Sequence, residues 1–320
     1  MIMLKTSKTP ENLIKPFSLK PTLIVIAGPT AVGKTSTGIE IAKSLGTEII
    51  SADSRQFYKE LQIGVAAPTI EELRAVRHHF VGHLSITDYY NVSMFEKDVL
   101  DFLEKWFQKN PVALMVGGSG LYIDAVCKGI DDFPDPPDEL RNVFKSRLKT
   151  EGIKSLRDEL KQVDPDYYDV VDLDNPNRIQ RALEVYHTTG IPFSELRKNT
   201  VKKRPFNIVK IALNRPRAEL FERIHSRVDQ MIEDGLIDEV KSLGKYRDLN
   251  SLNTVGYKEI LKYLDGEWSL DLAIEKIKTN TRRYAKRQLT WFKKDEEYEW
   301  FGLGEVEAPL AFLNQMLKMK

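Results

Sequence analysis

Residues 22–35 read TLIVIAGPTAVGKT, and this stretch decides the fold. Its first part, Thr22–Ala27, is a continuous apolar run, as expected of a strand buried on both faces of a parallel sheet. Its second part fits the pattern G-x-x-x-x-G-K-[ST], and Lys34–Leu45 beyond it has apolar residues at helical spacing. A strand, a glycine loop and a helix in this order predict a phosphate-binding loop. Its predicted phosphate contacts are Gly28, Pro29, Thr30, Ala31, Val32, Gly33, Lys34 and Thr35.

The residue types of this loop explain its chemistry. Glycines let the backbone curl so that successive N–H groups point at one anion, and the helix N-terminus adds partial positive charge. Lys34 supplies a full charge, and the Thr35 hydroxyl can reach a Mg²⁺ ion. A structural glycine turn is the alternative, but it requires neither the lysine nor the helix in register. The loop predicts a phosphate ligand of unspecified kind, with nucleotide hydrolysis or phosphoryl transfer as the default.

The remaining sequence predicts an α/β fold with an insertion. Strands at Glu48–Ser51 and Pro111–Val116 alternate with helical patterns, which indicates a P-loop NTPase-like parallel sheet, doubly wound and flanked by helices. The acidic, proline-rich segment Asp131–Asp138 interrupts this order, and residues 139–198 show helical spacing without a convincing strand. The predicted parts are an α/β core at 21–130 plus 200–320 and a helical insertion domain at 131–199.

The C-terminal part is predicted to rejoin the sheet and then to be helical. Phe206–Leu213 has the pattern of a strand, and Arg217–Leu243, Val255–Leu264 and Leu270–Lys294 have the pattern of helices. The last helix contains a basic stretch without Asp or Glu: Lys276, Lys278, Arg282, Arg283, Lys286, Arg287, Lys293 and Lys294. Basic stretches are usually solvated faces, yet in a nearly neutral chain this one suits an RNA phosphate backbone.

Composition limits the classes of protein that the chain can be. Its 320 residues are 42% hydrophobic and 30% charged, which is typical of a globular protein, and the net charge of +1 means that an RNA site must be a local patch. The single cysteine, Cys127, excludes an intramolecular disulfide and a multi-cysteine zinc site and favours a reducing compartment. We expect neither a membrane span of roughly 20 apolar residues nor a secretory signal, because residues 1–20 lack an apolar h-region.

Asp53 makes the default activity questionable. The strand at Val112–Val116 ends in Gly117 and Gly118, where a P-loop NTPase usually carries an acidic residue. A carboxylate instead follows the strand Glu48–Ser51, within Asp53-Ser54-Arg55-Gln56, whose side chains are rich in hydrogen-bonding groups. Such a set can read the edge of a heterocyclic base. Two alternatives remain open for Asp53, namely a helix cap and a magnesium ligand.

Several segments together resemble the tRNA dimethylallyltransferase family, also called tRNA isopentenyltransferase, in its bacterial form. They cover most of residues 22–295 in one order, and so many in series are very specific. The segments are GPTAVGKT (28–35), ISADSRQFYKELQIG (50–64), His78-His79, VGGSGLYI (116–123), NPNRIQRALEVYHTTGIPFSEL (175–196), RIHSRVDQMIEDGLIDEV (223–240), NTVGYKEI (253–260) and TRRYAKRQLTWF (281–292). The chain departs from the family pattern at Ser119, where threonine is commoner, and at Ala67, where lysine is commoner.

The resemblance implies an activity and a set of site residues. Members transfer a dimethylallyl group from dimethylallyl diphosphate to N6 of adenosine 37 in the anticodon loop of tRNAs that read codons beginning with U. In this chain Asp53 would be the general base, Thr30 and Arg227 would act at the diphosphate, and Thr35 would hold Mg²⁺. The insertion domain would contact the tRNA anticodon stem-loop, and the enzyme would be a cytoplasmic monomer. The implied tRNA-binding residues are Asp53, Ser54, Arg55, Gln56, Ser119, Arg141, Asn177, Arg178, Ile179, Gln180, Arg181, Asn253, Thr254, Val255, Gly256, Tyr257 and Lys258.

Some expectations and alternatives go beyond this list. Arg223 and Arg227 are four residues apart and therefore share a helix face. Within Asn177–Arg181 we expect Ile179 to pack inward, although a plain amphipathic helix explains that pattern equally well. His78 and His79 are expected to be core or hydrogen-bonding histidines. The competing functions are a small-molecule kinase that binds ATP at the same loop, an adenylate prenyltransferase and an RNA-binding regulator.

Overall fold

A six-stranded parallel sheet forms the centre of the computed structural model, which describes residues 20–198, 200–302 and 306–319. The strand order is β3-β2-β4-β1-β5-β6, and every neighbouring pair runs parallel. The expectation about a secretory signal concerns residues 1–20, of which 1–19 lie outside the described part. The strands are β1 (Thr22–Ala27), β2 (Ile49–Ser51), β3 (His78–His79), β4 (Val112–Gly117), β5 (Asn207–Asn214) and β6 (Tyr298–Gly302).

Helices make up most of the remaining described chain. In chain order they are α1 (Lys34–Leu45), α2 (Ile70–Ala75), α3 (Val92–Trp106), α4 (Gly120–Lys128), α5 (Asp138–Thr150), α6 (Gly152–Val163), α7 (Pro165–Tyr168), α8 (Pro176–Thr189), α9 (Phe193–Leu196), α10 (Arg217–Glu233), α11 (Leu236–Ser242), α12 (Tyr257–Leu264), α13 (Leu270–Phe292) and α14 (Glu307–Met319). The predicted α/β class with a parallel sheet is confirmed.

The sheet brings four strand ends to one edge, and this edge positions the site. β1 pairs with β4 from Thr22 opposite Val112 to Ala27 opposite Gly117, and it pairs with β5 on its other side. The continuous apolar character of β1 follows from this central place, because both faces of the strand are buried. The segments that follow β1, β2, β4 and β5 therefore meet at the carboxyl edge, where ligands bind in open α/β sheets.

The chain divides into two compact units. One comprises the described residues up to 123 and from 204 onward and contains the sheet. Its main cluster packs β1, β4 and β5 against α1 and α14, and a second cluster joins α11, α12 and α13. The other unit, Asp124–Lys203, is wider at both ends than the predicted 131–199. It is helical and has its own core around Phe144, Leu156 and Leu183.

Most predicted elements are found, and the errors have physical reasons. The predicted strand Thr22–Ala27 and helix Lys34–Leu45 are confirmed, and residues 129–137 carry no regular element around the predicted break. The single helix predicted at Arg217–Leu243 is wrong, because Gly235 takes a left-handed φ of 100° and separates α10 from α11. Helix α12 begins at Tyr257 instead of Val255, because Gly256 has a φ of 99°.

Candidate active site

The loop after β1 curls around a space lined by its own polar groups. Ala31 takes a left-handed φ of 63° and Gly33 a φ of 113°, which turns the chain into α1. Lys34 Nζ donates to the carbonyl oxygen of Pro29 at 2.8 Å. On the outside of the loop, Arg223 Nε donates to the Ala31 carbonyl at 2.9 Å and Arg215 Nε to the Val32 carbonyl at 2.8 Å. These contacts give the carbonyl oxygens of Pro29, Ala31 and Val32 fixed partners within the protein.

A pocket lies beside this loop at the carboxyl edge of the sheet. Its polar wall comes from the loop, from the segment after β2, from α10 and from α13: Thr30, Lys34, Thr35, Ser51, Asp53, Gln56, Arg227 and Gln288. Its apolar wall comes from β2, β4 and the loop after Leu61: Ile49, Val65, Ala66, Pro68 and Val116. The pocket therefore combines charged and polar side chains with apolar ones, and it contains the predicted residues Thr30, Thr35, Asp53 and Arg227.

Burial sets the charge state of the cations in this pocket. It lowers the pKa of Lys34 to about 8, with Asp53 opposing that shift and Arg227 adding to it. Burial, followed by the nearby Arg223, also lowers the pKa of Arg227, while Asp53 raises it. An arginine titrates so far above neutral pH that Arg227 stays charged. Two cations and one carboxylate thus share a partly desolvated space, and a bound anion would relieve the repulsion between the cations.

Asp53 sits in a turn, so the helix-cap alternative is wrong. Its Oδ1 accepts a hydrogen bond from the Arg55 backbone N–H at 3.1 Å, and its carbonyl accepts one from the Gln56 N–H at 3.0 Å. The Arg55 guanidinium turns away from Asp53 and donates to the carbonyls of Asn250, Ser251 and Asn253 at 2.9, 3.4 and 3.4 Å. Arg55 thereby links the Asp53 turn to the segment before α12, which contains other predicted RNA contacts.

Two residues of α13 belong to the site, and the sequence prediction missed them. Gln288 is buried; its Oε1 accepts from the Thr30 N–H at 2.8 Å, and its Nε2 donates to the Gly118 carbonyl at 2.9 Å. Tyr284 bonds to Ser119, and burial together with the Asp53 charge raises its pKa, so its hydroxyl keeps its proton. The sequence did contain a signal for Gln288. It shares the buried face of α13 with Ala285 and Phe292, and a polar side chain on a buried face usually has a hydrogen-bond partner.

The predicted RNA contacts near this edge divide into two groups. Ser119 Oγ accepts from the Ser54 N–H at 3.0 Å, and Gln56 Nε2 donates to the Ala66 carbonyl at 2.9 Å, so these residues lie together beside Asp53. Asn253 and Lys258 are exposed, and Thr254 and Val255 are partly buried. Tyr257 and Gly256 are buried, with Tyr257 at 0% exposure in the core. The expectation that the Tyr257 side chain faces RNA therefore needs correction.

The other unit presents its predicted residues differently. Ile179 is 0% exposed, so its inward packing is confirmed and its side chain cannot contact RNA, whereas Asn177 and Arg178 are exposed on α8. Gln180 bonds to Glu184 at 2.7 Å, and Arg181 lies 5.9 Å from the ring centroid of Phe133. Arg141 is held at the start of α5 by Asp138 at 3.0 Å and the Pro136 carbonyl at 2.7 Å.

The two histidines are hydrogen-bonded as expected. His79 Nε2 lies 2.5 Å from Glu48 Oε2, and His78 Nδ1 lies 2.8 Å from the Val76 carbonyl. His78 also lines the pocket, which the sequence did not indicate, and burial lowers its pKa. Within the described residues no group of His, Cys, Asp and Glu side chains is arranged to hold a metal ion by itself.

The basic stretch of α13 divides between the two sides of the helix. Lys278 pairs with Asp229 at 2.6 Å, and Arg282 packs on Phe221 and bonds to His225 at 3.0 Å. The other basic residues are exposed and recur at helical spacing on one side. We call this set the basic face of α13, and it comprises Lys276, Arg283, Lys286 and Arg287 on the helix together with Lys293 and Lys294 directly after its end.

The fold and the site define a class, namely P-loop α/β proteins with a polar pocket at the carboxyl edge of the sheet. Within that class the chain belongs to the IPP transferase family, whose model matches residues 56–295. The resemblance seen in the sequence is thereby confirmed. In the described residues no helix is long and apolar enough to cross a bilayer.

Individual relatives agree with this family. The chain is 52% identical over 297 residues to tRNA dimethylallyltransferase 1 of Bacteroides fragilis, covering 93% of this chain and 99% of that protein. It is 53% identical over 293 residues to the enzyme of the same name from Bacteroides thetaiotaomicron, covering 92% and 95%. The crystal structure of a tRNA isopentenylpyrophosphate transferase from Bacillus halodurans has a TM-score of 0.69 at 35% identity, covering 94% and 98%. A eukaryotic dimethylallyltransferase acting on tRNA has a TM-score of 0.77 at 26% identity, covering 94% and 80%.

Proposed function

We propose that this enzyme transfers the dimethylallyl group of dimethylallyl diphosphate to N6 of adenosine 37 in the anticodon loop of tRNAs that read codons beginning with U, releasing pyrophosphate. One observation carries the proposal: the phosphate loop and the Asp53 carboxylate line the same pocket as an apolar wall. A diphosphate ester with an apolar tail fits such a pocket. The family and the names of the relatives support tRNA as the acceptor.

Charge neutralisation is the first task of the site. As the bond between the allylic carbon and the diphosphate oxygen breaks, negative charge grows on the leaving pyrophosphate. Lys34 and Arg227 line the pocket, and we expect them to surround this charge together with N–H groups of the loop. Preorganised donors of this kind lower the barrier without reorganising. In this proposal the loop holds a leaving group and transfers no phosphoryl group. The Thr30 hydroxyl, on the same wall, donates to the departing oxygen.

Deprotonation of the amine is the second task. The N6 amine of adenine is a poor nucleophile because its lone pair is delocalised into the ring. Asp53 accepts a hydrogen bond from this amine and takes one of its protons as the new C–N bond forms, which is general base catalysis. The Arg55 N–H donates to Oδ1 of Asp53 and thereby orients the carboxylate, while Oδ2 can accept from the substrate amine. Tyr284 bonds to Ser119, and burial, with the charge of the nearby Asp53 carboxylate, raises the pKa of its hydroxyl.

Magnesium fits the donor set of this pocket. The Thr35 hydroxyl is a hard oxygen donor that lines this pocket, and Mg²⁺ is usually held by a few such groups together with phosphate oxygens and water. Thr35 is the residue proposed to hold the ion, which would offset negative charge on the diphosphate. A monomeric state and a cytoplasmic location stay predictions.

Contact with tRNA is assigned to the basic face of α13 and to exposed residues near the site. Four cations on one side of α13 and two directly after its end supply the local charge that the net charge of +1 does not. The target base lies in a stacked anticodon loop and must turn out to reach Asp53, which costs less for a loop base than for a paired one. Asn253 and Lys258 remain proposed contacts, as do Asn177 and Arg178.

One assay separates this function from its alternatives. Labelled dimethylallyl diphosphate is incubated with the enzyme and tRNA, with AMP, or with neither, and ATP consumption is followed in parallel. The expected result is label in tRNA alone, at an adenosine beside the anticodon, with stoichiometric pyrophosphate and no ATP consumed. ATP-dependent phosphorylation of a metabolite without label in RNA would support the kinase alternative, and label in AMP would support the adenylate prenyltransferase. The names of the relatives favour the tRNA enzyme over both.

A further inference from the structure

The loop between Leu61 and Thr69 is an unusual wall for a binding pocket. Val65, Ala66 and Pro68 line the pocket, yet the loop contains neither a helix nor a strand of its own. Ala66 has a left-handed φ of 48°, a backbone state that a non-glycine residue keeps only when its surroundings hold it there. The position of this wall must therefore be fixed from outside the loop.

A single carboxylate on α11 provides that fixation. Glu239 Oε2 accepts hydrogen bonds from the N–H groups of Gln62 at 3.0 Å and Ile63 at 2.8 Å. Glu239 Oε1 accepts from the Gly64 N–H at 3.0 Å and from the Tyr257 hydroxyl at 2.6 Å. Consecutive backbone donors that converge on one carboxylate form charge-assisted bonds, which are roughly twice as strong as neutral ones. We call this arrangement the Glu239 anchor.

Tyr257 completes the anchor from the core side. Its ring is fully buried, and burial together with the Glu239 charge raises its pKa, so its hydroxyl remains a donor. The ring also fixes the distance of the loop: a Cβ on Gly64 would lie 2.5 Å from Tyr257 Cε2, so only glycine allows the loop to approach this closely. The loop is thus held by its backbone against a buried ring and a carboxylate.

Backbone hydrogen bonds connect the anchored residues to the wall of the pocket. The Ala66 N–H donates to the Ile63 carbonyl at 3.0 Å, and the Ala67 N–H donates to the Gln62 carbonyl at 2.9 Å. At the pocket side Gln56 Nε2 donates to the carbonyl of Ala66 at 2.9 Å. Because residues 62–64 carry the anchor and 65–68 face the ligand, any shift of the anchored part moves the wall.

We propose that Glu239 is a positioning residue that sets the apolar wall of the pocket and thereby the fit of the hydrocarbon part of the allylic diphosphate. The inference rests on the proposed function and assigns a role to residues outside the site. Tyr257 shares this role, which replaces its expected RNA contact. The phosphate loop is built from other elements, so loss of the anchor should act on the hydrocarbon end more than on the phosphate end.

The test compares Glu239→Gln with Tyr257→Phe and with the control Asp238→Asn, which removes an exposed charge next to Glu239 on the same helix. At saturating tRNA we expect Glu239→Gln to raise KM for dimethylallyl diphosphate about tenfold, as loss of charge-assisted bonds predicts. The turnover number should change less than KM, and the inhibition constant of inorganic pyrophosphate should stay unchanged. Tyr257→Phe keeps the amide bonds and should raise KM less, and Asp238→Asn should match the wild type.

Hydrogen exchange supplies a readout that does not depend on turnover. In Glu239→Gln the peptide covering 61–68 should exchange faster, while peptides of the central strands stay protected. Unchanged KM in a folded Glu239→Gln, or a pyrophosphate constant that rises with KM, overturns the proposal. If Glu239→Gln does not fold, KM for dimethylallyl diphosphate and the pyrophosphate inhibition constant of Tyr257→Phe test the proposal in its place. If the wild type transfers no prenyl group, the proposed function is refuted instead. The exchange data still show in that case whether Glu239 holds the loop.

Discussion

Lys34 is the residue whose charge controls the phosphate end of the site. Its pKa of about 8 means that it is protonated below pH 8 and loses its charge as the pH rises through that value. Since the charged form binds the anion, we expect affinity for inorganic pyrophosphate to fall above pH 8, with proton uptake on binding near that pH. Calorimetry in buffers of different ionisation enthalpy measures the uptake.

The matched control for this effect is Lys34→Arg. A guanidinium keeps its charge across the range, so the variant should lose the step near pH 8 even if its overall affinity is weaker. The titration of pyrophosphate itself is common to both proteins and cancels in the comparison. A step of equal size in the variant would assign the pH dependence to a group other than Lys34.

Asp53 provides the sharpest test of the chemistry. Replacing it with alanine should lower kcat by about 10²–10⁴-fold, the usual contribution of a general base, while the affinity for tRNA changes little. Single-turnover measurements at saturating tRNA separate the chemical step from binding. A near-normal rate would remove Asp53 from the mechanism.

Gln288 joins the phosphate loop to the end of β4, so its loss should loosen the loop. In Gln288→Ala the partly buried Thr30 N–H and the buried Gly118 carbonyl lose their partner, and an unsatisfied buried polar group costs about 1–3 kcal/mol. We expect kcat/KM for the diphosphate to fall about tenfold or more. Gln230→Ala, at an exposed glutamine of α10, is the control and should leave this constant unchanged.

At the scale of the element, α13 performs different tasks on its two sides. One side places Gln288 and Tyr284 in the site, and the other forms the basic face. Replacing Arg283 and Lys286 with alanine should weaken tRNA binding and flatten its salt dependence. Each lost phosphate contact removes about 0.7–0.9 from the slope of log affinity against log salt.

The control for this prediction is Lys241→Ala, which removes an exposed cation from α11. It should keep both the affinity and the slope. Binding is measured by filter retention or fluorescence anisotropy from low to moderate salt. A slope in the Arg283/Lys286 variant equal to that of the wild type would place the RNA backbone on another surface.

Elements with local signals could be predicted from the sequence, and contacts across the fold could not. The strand Thr22–Ala27 and helix α1 could be predicted from apolar spacing, a glycine loop and a lysine in neighbouring positions. Gln288 is 258 residues from Thr30, so only the packed structure shows that its amide bonds to the loop. Tyr257 was misplaced because a motif shows which residues occur together and not which of them are buried.

At the scale of the whole molecule, a buried ion pair fastens the chain where it re-enters the sheet-containing unit. Arg204 and Glu96 on α3 meet at 2.5 Å, and their side chains are 8% and 6% exposed. Removing one partner of a buried pair leaves an uncompensated charge, so Glu96→Ala should lower the free energy of unfolding by about 3–5 kcal/mol. Chemical denaturation measures this change, and Glu104→Ala on the exposed side of α3 should have little effect. A Glu96 variant as stable as the wild type would contradict this role.

The close approach of β2 and β4 at their carboxyl ends carries a consequence for how such an enzyme can evolve. A Cβ on Gly117 would lie 2.3 Å from the Ala52 carbonyl oxygen, so no side chain fits where nucleotide hydrolases place their second acid. A single codon change at this point would push the two strands apart before it created a hydrolytic centre. Acquiring a second acid at this position would thus require the backbone of the two strand ends to move apart.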